Sequence, residues 1–333
     1  MSQSPSHLPQ LGAAAERFLR THGVEPTTLQ PIPGDASARR YWRAPGERVL
    51  AQVPHADELL PFLRVQHRFA EAGLPVPRIL AVSLRYRLLL QEDLGSRDLK
   101  SALDAGESLD AIMARVFPLL LGLAAAAQDR VLRPPFPPYD AQRLQQELSL
   151  FPDWYLRRHL GITLSSAEQD QIGMLFSALR DGARQQPSIW VHRDFHARNL
   201  LLRPVGAPVL IDFQDAVLGP WTYDLASLLW DRYWDWGRAR RDGWIEQYRC
   251  LLQRHGLAVP DGEAFRVQVE VMALQRNLKI LGIFCRLAYR DGKSGYLELL
   301  PRFWAYVEDL LAGQEAWRRF VPLFRGWSPC DRR

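Results

Sequence analysis

The sequence predicts an α+β protein of two lobes, a small β-rich N-terminal lobe and a larger, mostly helical C-terminal lobe. Three observations carry this reading. Short apolar runs separated by turn residues fill about the first 95 residues. After Gly95 the apolar positions recur at helical spacing. The 333 residues suffice for a core in each lobe. The division is placed at lobes 1–93 and 94–333, with a linker near Glu92 to Gly95.

Residues from about Leu11 to Gly23 read as a short helix ended by glycine. The segment PIPGDASARRYWR has turn chemistry at Pro33, Gly34 and Asp35, then a strand-like run. Val49 to Val53 is a second strand. A helix follows from Leu59 and stops near Gly73, where LPVP forces extended chain. Ile79 to Val82 and Leu88 to Gln91 complete a small sheet. Helical periodicity then covers Asp98 to Gln128 and Asp140 to Gly182, separated by the proline cluster RPPFPPY. From Ile189 to Phe213 short apolar strands alternate with polar loops. Beyond Thr222 the chain reads as helix almost to its end. The longest apolar stretch, around Val116 to Ala127, is too short for a bilayer and reads as a buried helix.

Composition narrows the function classes. The chain is 47% hydrophobic and 24% charged, the range of ordinary globular proteins. Its net charge of +5 is modest, and no basic block suggests a nucleic-acid partner. Cys250, Cys285 and Cys330 lack metal spacing and suit a reduced cytoplasm. The N-terminal MSQSPSHLPQ lacks the basic and apolar regions of a signal peptide. A cytoplasmic protein with neither membrane nor nucleic acid as partner is the expectation, and its excess positive charge could serve a small anionic ligand such as a nucleotide.

The central signal is HRDFHARN at His192 to Asn199, followed by VLIDFQD at Val209 to Asp215. Both close short apolar runs, so their polar residues fall at strand ends, within reach of a ligand. H-x-D-x-x-x-x-N supplies a carboxylate and, five residues on, a carboxamide. In phosphoryl transfer Asp194 would orient or take the acceptor proton. Asn199 and Asp212 would give magnesium two hard oxygen ligands, the nucleotide phosphates and water completing its shell. His192 reads as structural support. In GPWTYDLASLLWD, Asp224 opens a helix, and its carboxylate reads as a brace on the backbone amides of the catalytic loop.

These residues resemble the aminoglycoside phosphotransferase and choline kinase superfamily, whose fold is protein-kinase-like. The likeness rests on HRDFHARN, IDFQDAVLGP, YDLA and the hinge-like LLLQEDLG (88–95). GDASARRYWR (34–43), ELSLFPDWYLRRHLG (147–161) and LQRNLKILGIFCRLAYRDGKSGYLELLPR (274–302) carry a closer one. It is similar to the anomeric N-acetylmuramate/N-acetylglucosamine kinases of bacterial peptidoglycan recycling, from about Gly34 to Arg302. The resemblance implies transfer of the ATP γ-phosphate to the sugar C1 hydroxyl, with a nucleotidyltransferase consuming the product. A kinase of another small alcohol or aminoglycoside, and a non-catalytic nucleotide-binding regulator, are the competing readings.

One departure concerns phosphate binding. Kinases of this fold carry a lysine on the second strand, but VLAQVP (49–54) has none, and Gln52 is its nearest polar residue. Arg39 or Arg40, after the GDAS turn with Ser37, is expected to replace it. The nucleotide base is expected at Gln91, Glu92 and Leu94, read by backbone groups. For the acceptor, Arg276, Lys279, Arg286, Arg290 and Lys293 fall within one arc of about 100° on a helix, with Ile283 in the same stripe. Such a basic wall suits a lactyl carboxylate or the phosphates of the nucleotide, and opposes cationic substrates. Trp154 and Arg158, combining aromatic and basic character, and Asp215, three residues beyond Asp212, complete the acceptor candidates.

Overall fold

The computed structural model describes residues 12–32, 39–128 and 136–329. The expected turn at Pro33 to Asp35, Ser37 and Cys330 lie outside the described residues. The chain forms two compact units, one of Met1–Ser108 with Asn199–Asp215, the other of Leu109–Arg198 with Ala216–Arg333.

The first unit is built on an antiparallel sheet of β1 (Gln30–Ile32), β2 (Arg40–Ala44), β3 (Arg48–Gln52), β4 (Ile79–Ser83) and β5 (Leu88–Glu92), in the order β1-β2-β3-β5-β4. Period-two alternation gives the sheet two apolar faces. Trp42, Ala44, Leu50, Leu88 and Leu90 pack on Phe18 and Leu19 of helix α1 (Ala13–Thr21). Tyr41, Ala51, Val53 and Leu89 lie on the other face, with Leu59, Phe62 and Leu63 of α2 (Leu59–Glu71). The short helix α3 (Leu99–Asp104) is capped by Asp98, whose carboxylate accepts from Ser101 N at 2.7 Å.

This unit takes in more chain than the 1–93 stretch read from the sequence, because a second segment docks on it. Strands β7 (Leu200–Leu201) and β8 (Val209–Leu210) pair antiparallel, with Leu200 opposite Leu210. Leu202 N donates to Arg97 O at 2.7 Å and Leu210 N to Pro75 O at 2.8 Å. Phe213, fully buried, stacks on Phe62 at 4.8 Å and tilts against Phe69 at 5.7 Å.

The second unit is helical. Its elements are α4 (Leu109–Gln128), α5 (Ala141–Leu148), a π-helix (Phe151–His159), α6 (Ser166–Arg184), α7 (Tyr223–Leu229), α8 (Arg238–Arg254), α9 (Gly262–Asp291) and α10 (Leu300–Gly313), with two short closing helices, α11 (Glu315–Arg318) and α12 (Val321–Arg325). A two-stranded ladder of β6 (Ser188–Val191) and β9 (Val217–Pro220) runs among them.

The expected helix from Asp98 to Gln128 is broken between Asp104 and Leu109, where Gly106 takes φ 81°. Helix α4 is longer than the apolar stretch read from the sequence. By length and composition it could cross a bilayer, with mean hydropathy 1.7 over 18 residues. Half of that window is buried inside the protein, and Tyr248 donates its hydroxyl to Leu120 O at 3.2 Å.

Helix α9 is the axis of this unit. Asp261 caps its start, accepting from Ala264 N at 2.8 Å, and Gly292 ends it in the left-handed conformation. From Val269 to Leu278 every residue is buried. The π-helix packs closely on it and is anchored on its other side by Tyr155, whose hydroxyl donates to Trp327 O at 2.9 Å. Gly282 permits the approach, since a Cβ there would sit 2.3 Å from the carbonyl carbon and oxygen of Leu150.

In an exposed helix, glycine to alanine stabilises by about 1 kcal/mol. Here the backbone clash dominates. Gly282→Ala is expected to destabilise by about 3 kcal/mol, lowering Tm by at least about 5 °C in a thermal melt. A variant as stable as the parent would refute the close-approach argument.

Candidate active site

In the first unit a cavity of about 350 Å³ opens on the α2 face of the sheet. Strand β3 turns Val49 and Ala51 towards it, and Val53 continues the row. Gln52, the nearest polar residue to the missing lysine, falls on the other side of the strand and does not line the cavity. Strand alternation thus denies β3 any cation here.

Arg39, which leads into β2, supplies one. Its Nε lies 3.4 Å from Glu58 Oε2, and its Nη1 lies 3.1 Å from Gln214 Oε1 and 3.8 Å from Asp212 Oδ1. The side chain is 14% exposed, so a guanidinium is held largely out of water by two carboxylates. Arg40, one residue on, is exposed and does not line the cavity.

Gln91, Glu92 and Leu94 line the cavity at the end of β5. The Glu92 carboxylate is engaged from outside, accepting from Arg78 N at 3.2 Å and lying 3.4 Å from Arg203 Nη2. The Gln91 Oε1 is buried without a hydrogen-bond partner among the described residues.

The β7–β8 register brings Asn199 and Asp212 together. Asn199 precedes β7, and its carbonyl accepts from Ile211 N at 3.2 Å, which places Asp212 one residue further along. Both residues line the cavity. Asp212 adopts φ 61°, a left-handed conformation costly for a residue with a Cβ. Buried Phe213 fixes its far side, and Gln214 Nε2 donates to Oδ1 at 3.1 Å. A carboxylate and a carboxamide are hard oxygen donors that suit a magnesium ion keeping water and phosphate ligands. Among the described residues no group of three or more His, Cys, Asp and Glu could hold a metal by itself.

In the second unit the strand β6 delivers the His192 loop. Two buried carboxylates hold that loop by its backbone. Asp224 Oδ2 accepts from His192 N at 2.6 Å and Oδ1 from Arg193 N at 3.0 Å. Asp231 Oδ2 accepts from Ala197 N at 2.9 Å, and its Oδ1 accepts from Tyr233 N at 3.0 Å. Burial pushes the Asp224 carboxyl up to about 7 and raises that of Asp231, against the lowering effect of the amides each accepts from. His192 is fully buried edge-on to Phe195.

Arg193 has φ 75°, again left-handed without being glycine. Its side chain is also held, with Nη2 2.6 Å from Glu147 Oε1. Lys279 Nζ lies 3.0 Å from the same oxygen and 3.2 Å from Tyr223 Oη. Tyr139 Oη donates to Glu147 Oε2, and Gln275 Nε2 donates to it at 3.2 Å. Burial alone would raise the Glu147 carboxyl, but Lys279 and Arg193 bring it down to about 2. Asp194, half-buried, lies close enough to favour the positive charge of both cations.

The remaining candidates have other surroundings. Arg276 is buried and donates Nη1 to Trp230 O at 3.4 Å. Trp154 is half-buried on the π-helix, and Arg158 is exposed with its guanidinium 5.4 Å from the Tyr289 ring centre. Asp215 is exposed and lies outside the cavity lining.

Sequence reasoning missed Glu58, Glu147, Phe213 and Asp231, and gave Arg193 no role. Asp231 stands just past the end of α7, and the available signal was only an acidic residue after the mostly apolar run Leu225 to Trp230. Glu147 gave none, because a lone glutamate on an amphipathic helix is ordinarily a surface residue.

The brace can be tested without assuming any chemistry. In Asp224→Asn one backbone N–H faces an amide N–H instead of an acceptor. Hydrogen exchange at His192 and Arg193 is expected to quicken by about tenfold, since one lost bond is worth roughly 1–2 kcal/mol. Tm should change little, because a neutral amide is cheaper to bury than a charge. Unchanged exchange would refute the bracing role.

A family model described as Phosphotransferase enzyme family matches residues 28–263. The chain is 36% identical over 289 residues to an N-acetylmuramate/N-acetylglucosamine kinase of Pseudomonas putida, covering 85% of this chain and 84% of the relative. It is 37% identical over 294 residues to the protein of that name from Pseudomonas aeruginosa, covering 87% and 85%. The crystal structure of the ADP-bound aminoglycoside phosphotransferase APH(2'')-Ib shares the fold, with a TM-score of 0.59 at 13% identity over 89% of this chain and 97% of that one. The chain belongs to the phosphotransferase enzyme family.

Proposed function

We propose that the protein transfers the γ-phosphate of ATP to the anomeric C1 hydroxyl of N-acetylmuramate, N-acetylglucosamine or both. The observation that carries the substrate class is the 36–37% identity, over most of both chains, to two kinases named for these sugars. The products are the sugar 1-phosphate, ADP and a proton. We place the reaction in the cytoplasm, within peptidoglycan recycling, with a nucleotidyltransferase as consumer of the 1-phosphate.

Lobe 1–93 binds the nucleotide and lobe 94–333 carries catalysis and acceptor binding. The base lies against the apolar wall of Val49, Ala51 and Leu89, beside Gln91 to Leu94. Arg39 takes the phosphate-facing part of the absent lysine. Its tether to Glu58 supports this, because an ion pair fixes the guanidinium where a flexible lysine would otherwise be held. Asn199 and Asp212 would hold magnesium, which neutralises charge on the phosphate oxygens when bound. Asp194 orients the C1 hydroxyl and accepts its proton as the oxygen attacks phosphorus. His192 and Asp224 support its loop.

Phosphorus NMR of the product from each sugar tests the reading, because an anomeric phosphate couples to the C1 proton. Absence of such a product from both sugars would overturn it. Asp194→Asn is expected to lower kcat by about 10²–10⁴-fold while ATP binding stays within about threefold. Near-normal turnover would remove Asp194 from its role. Arg39→Ala should raise the KM for ATP by about tenfold or more, the loss of a charge-assisted contact, and exceed the effect of Arg40→Ala. Equal effects of the two would sink the assignment.

A further inference from the structure

The cations along the basic face of α9 meet different fates. Arg276 is buried and bonded to the Trp230 carbonyl, Lys279 is paired with Glu147, and Arg290 holds Asp291 through two contacts of 2.7 and 3.0 Å. Arg286 differs from all of these. It is half-buried, and its Nε is closed off from solvent with no hydrogen-bond partner among the described residues. Its neighbouring charges are Arg290, which repels it, and Asp291, which Arg290 already occupies. Burial and then Arg290 lower its pKa, the direction expected of a cation without its own anion. A part-buried guanidinium with an unmade hydrogen bond is costly in the free protein and favourable once an anion arrives.

Its position says which anion. Arg286 follows Lys279 by seven residues, which places it about 20° away on the same face and about 10 Å along the axis. Side chains on a helix lean towards its N-terminus, so the arginine arm shortens that gap. Lys279 is within electrostatic range of Asp194. A pyranose with its C1 hydroxyl at Asp194 carries its C3 substituent several bonds away, on the order of 6 Å. We propose that Arg286 is a carboxylate subsite of the acceptor pocket, binding the lactyl carboxylate that N-acetylmuramate has and N-acetylglucosamine lacks. The inference rests on the amino-sugar reading above and names the residue that distinguishes its two substrates. Arg276 and Lys279, expected from the sequence to meet the acceptor, have their charges engaged inside the protein. Arg286 offers a planar fork matched to a carboxylate.

The test compares both sugars on the full-length protein. Arg286→Met keeps an apolar stem and removes the charge. The ratio of kcat/KM for N-acetylmuramate to that for N-acetylglucosamine is expected to fall at least tenfold, and Arg286→Lys should recover part of it. An unchanged ratio, or loss of both activities in proportion, would overturn the subsite. Wild-type turnover of N-acetylglucosamine alone would overturn it too. If neither sugar is phosphorylated, the amino-sugar reading itself has failed. Calorimetry of N-acetylmuramate binding to wild type and Arg286→Lys then decides the subsite separately, and no binding, or equal binding by both, rejects it.

Discussion

The loop from His192 to Asn199 depends on two carboxylates that are buried in order to hold it. Asp224 and Asp231 point their oxygens at backbone amides rather than at cations. Burying a carboxylate is expensive, as the upward shift of Asp224 to about 7 records. Amide donors offset part of that cost, and the helical core around α7 and α9 supplies the rest of the stability. What is gained is a loop whose shape does not relax. Arg193 is held left-handed at φ 75° with its amide gripped by Asp224 and its guanidinium by Glu147. The strain next to Asp194 is therefore over-determined from both backbone and side chain.

Glu147 links this grip to α9. One carboxylate meets Arg193, Lys279, Tyr139 and Gln275. A buried ion group of this kind is weak evidence for stability, since apolar replacements often serve as well. Its value lies in geometry, because each partner fixes another. Lys279 of α9 is also held against Tyr223, one residue from Asp224 on α7.

Much of this was legible in the sequence because it is periodic. The two-faced sheet follows from alternation at Trp42, Leu50, Leu88 and Leu90 against Tyr41, Ala51 and Leu89. The ends of α2 and α9 follow from Gly73 and Gly292. The bracing carboxylate at Asp224 was readable from its place at a helix start after a polar loop. What escaped was set by partners distant in sequence. Glu147 is 46 residues from Arg193, and no local pattern joins them. The π-helix looked like an ordinary amphipathic segment, because its register depends on Gly282 admitting the Leu150 carbonyl. The short strand β1 carries Pro31 and no apolar alternation, so only its pairing with β2 defines it.

The basic face of α9 shows why periodicity identifies a face but not its use. The wheel places Arg276, Lys279, Arg286 and Arg290 together, and on that ground alone they form one wall. Burial separates them, because a charge taken out of water must find a partner within a few ångströms. The buried middle of the helix forces Arg276 and Lys279 into internal contacts, while its exposed end lets Arg290 pair with its neighbour Asp291. Arg286 sits where burial fades, too covered for water to satisfy its Nε, which has no hydrogen-bond partner among the described residues. The same logic explains the cation of the cavity in the first unit. With Val49 and Ala51 presented by β3 and Val53 continuing their row, charge had to enter from Arg39, and Glu58 with Asp212 are what make a part-buried guanidinium tolerable there. In both units the position of a cation follows from where an acid or an exposed edge can balance it, which is a property of the packed chain rather than of any one helix or strand.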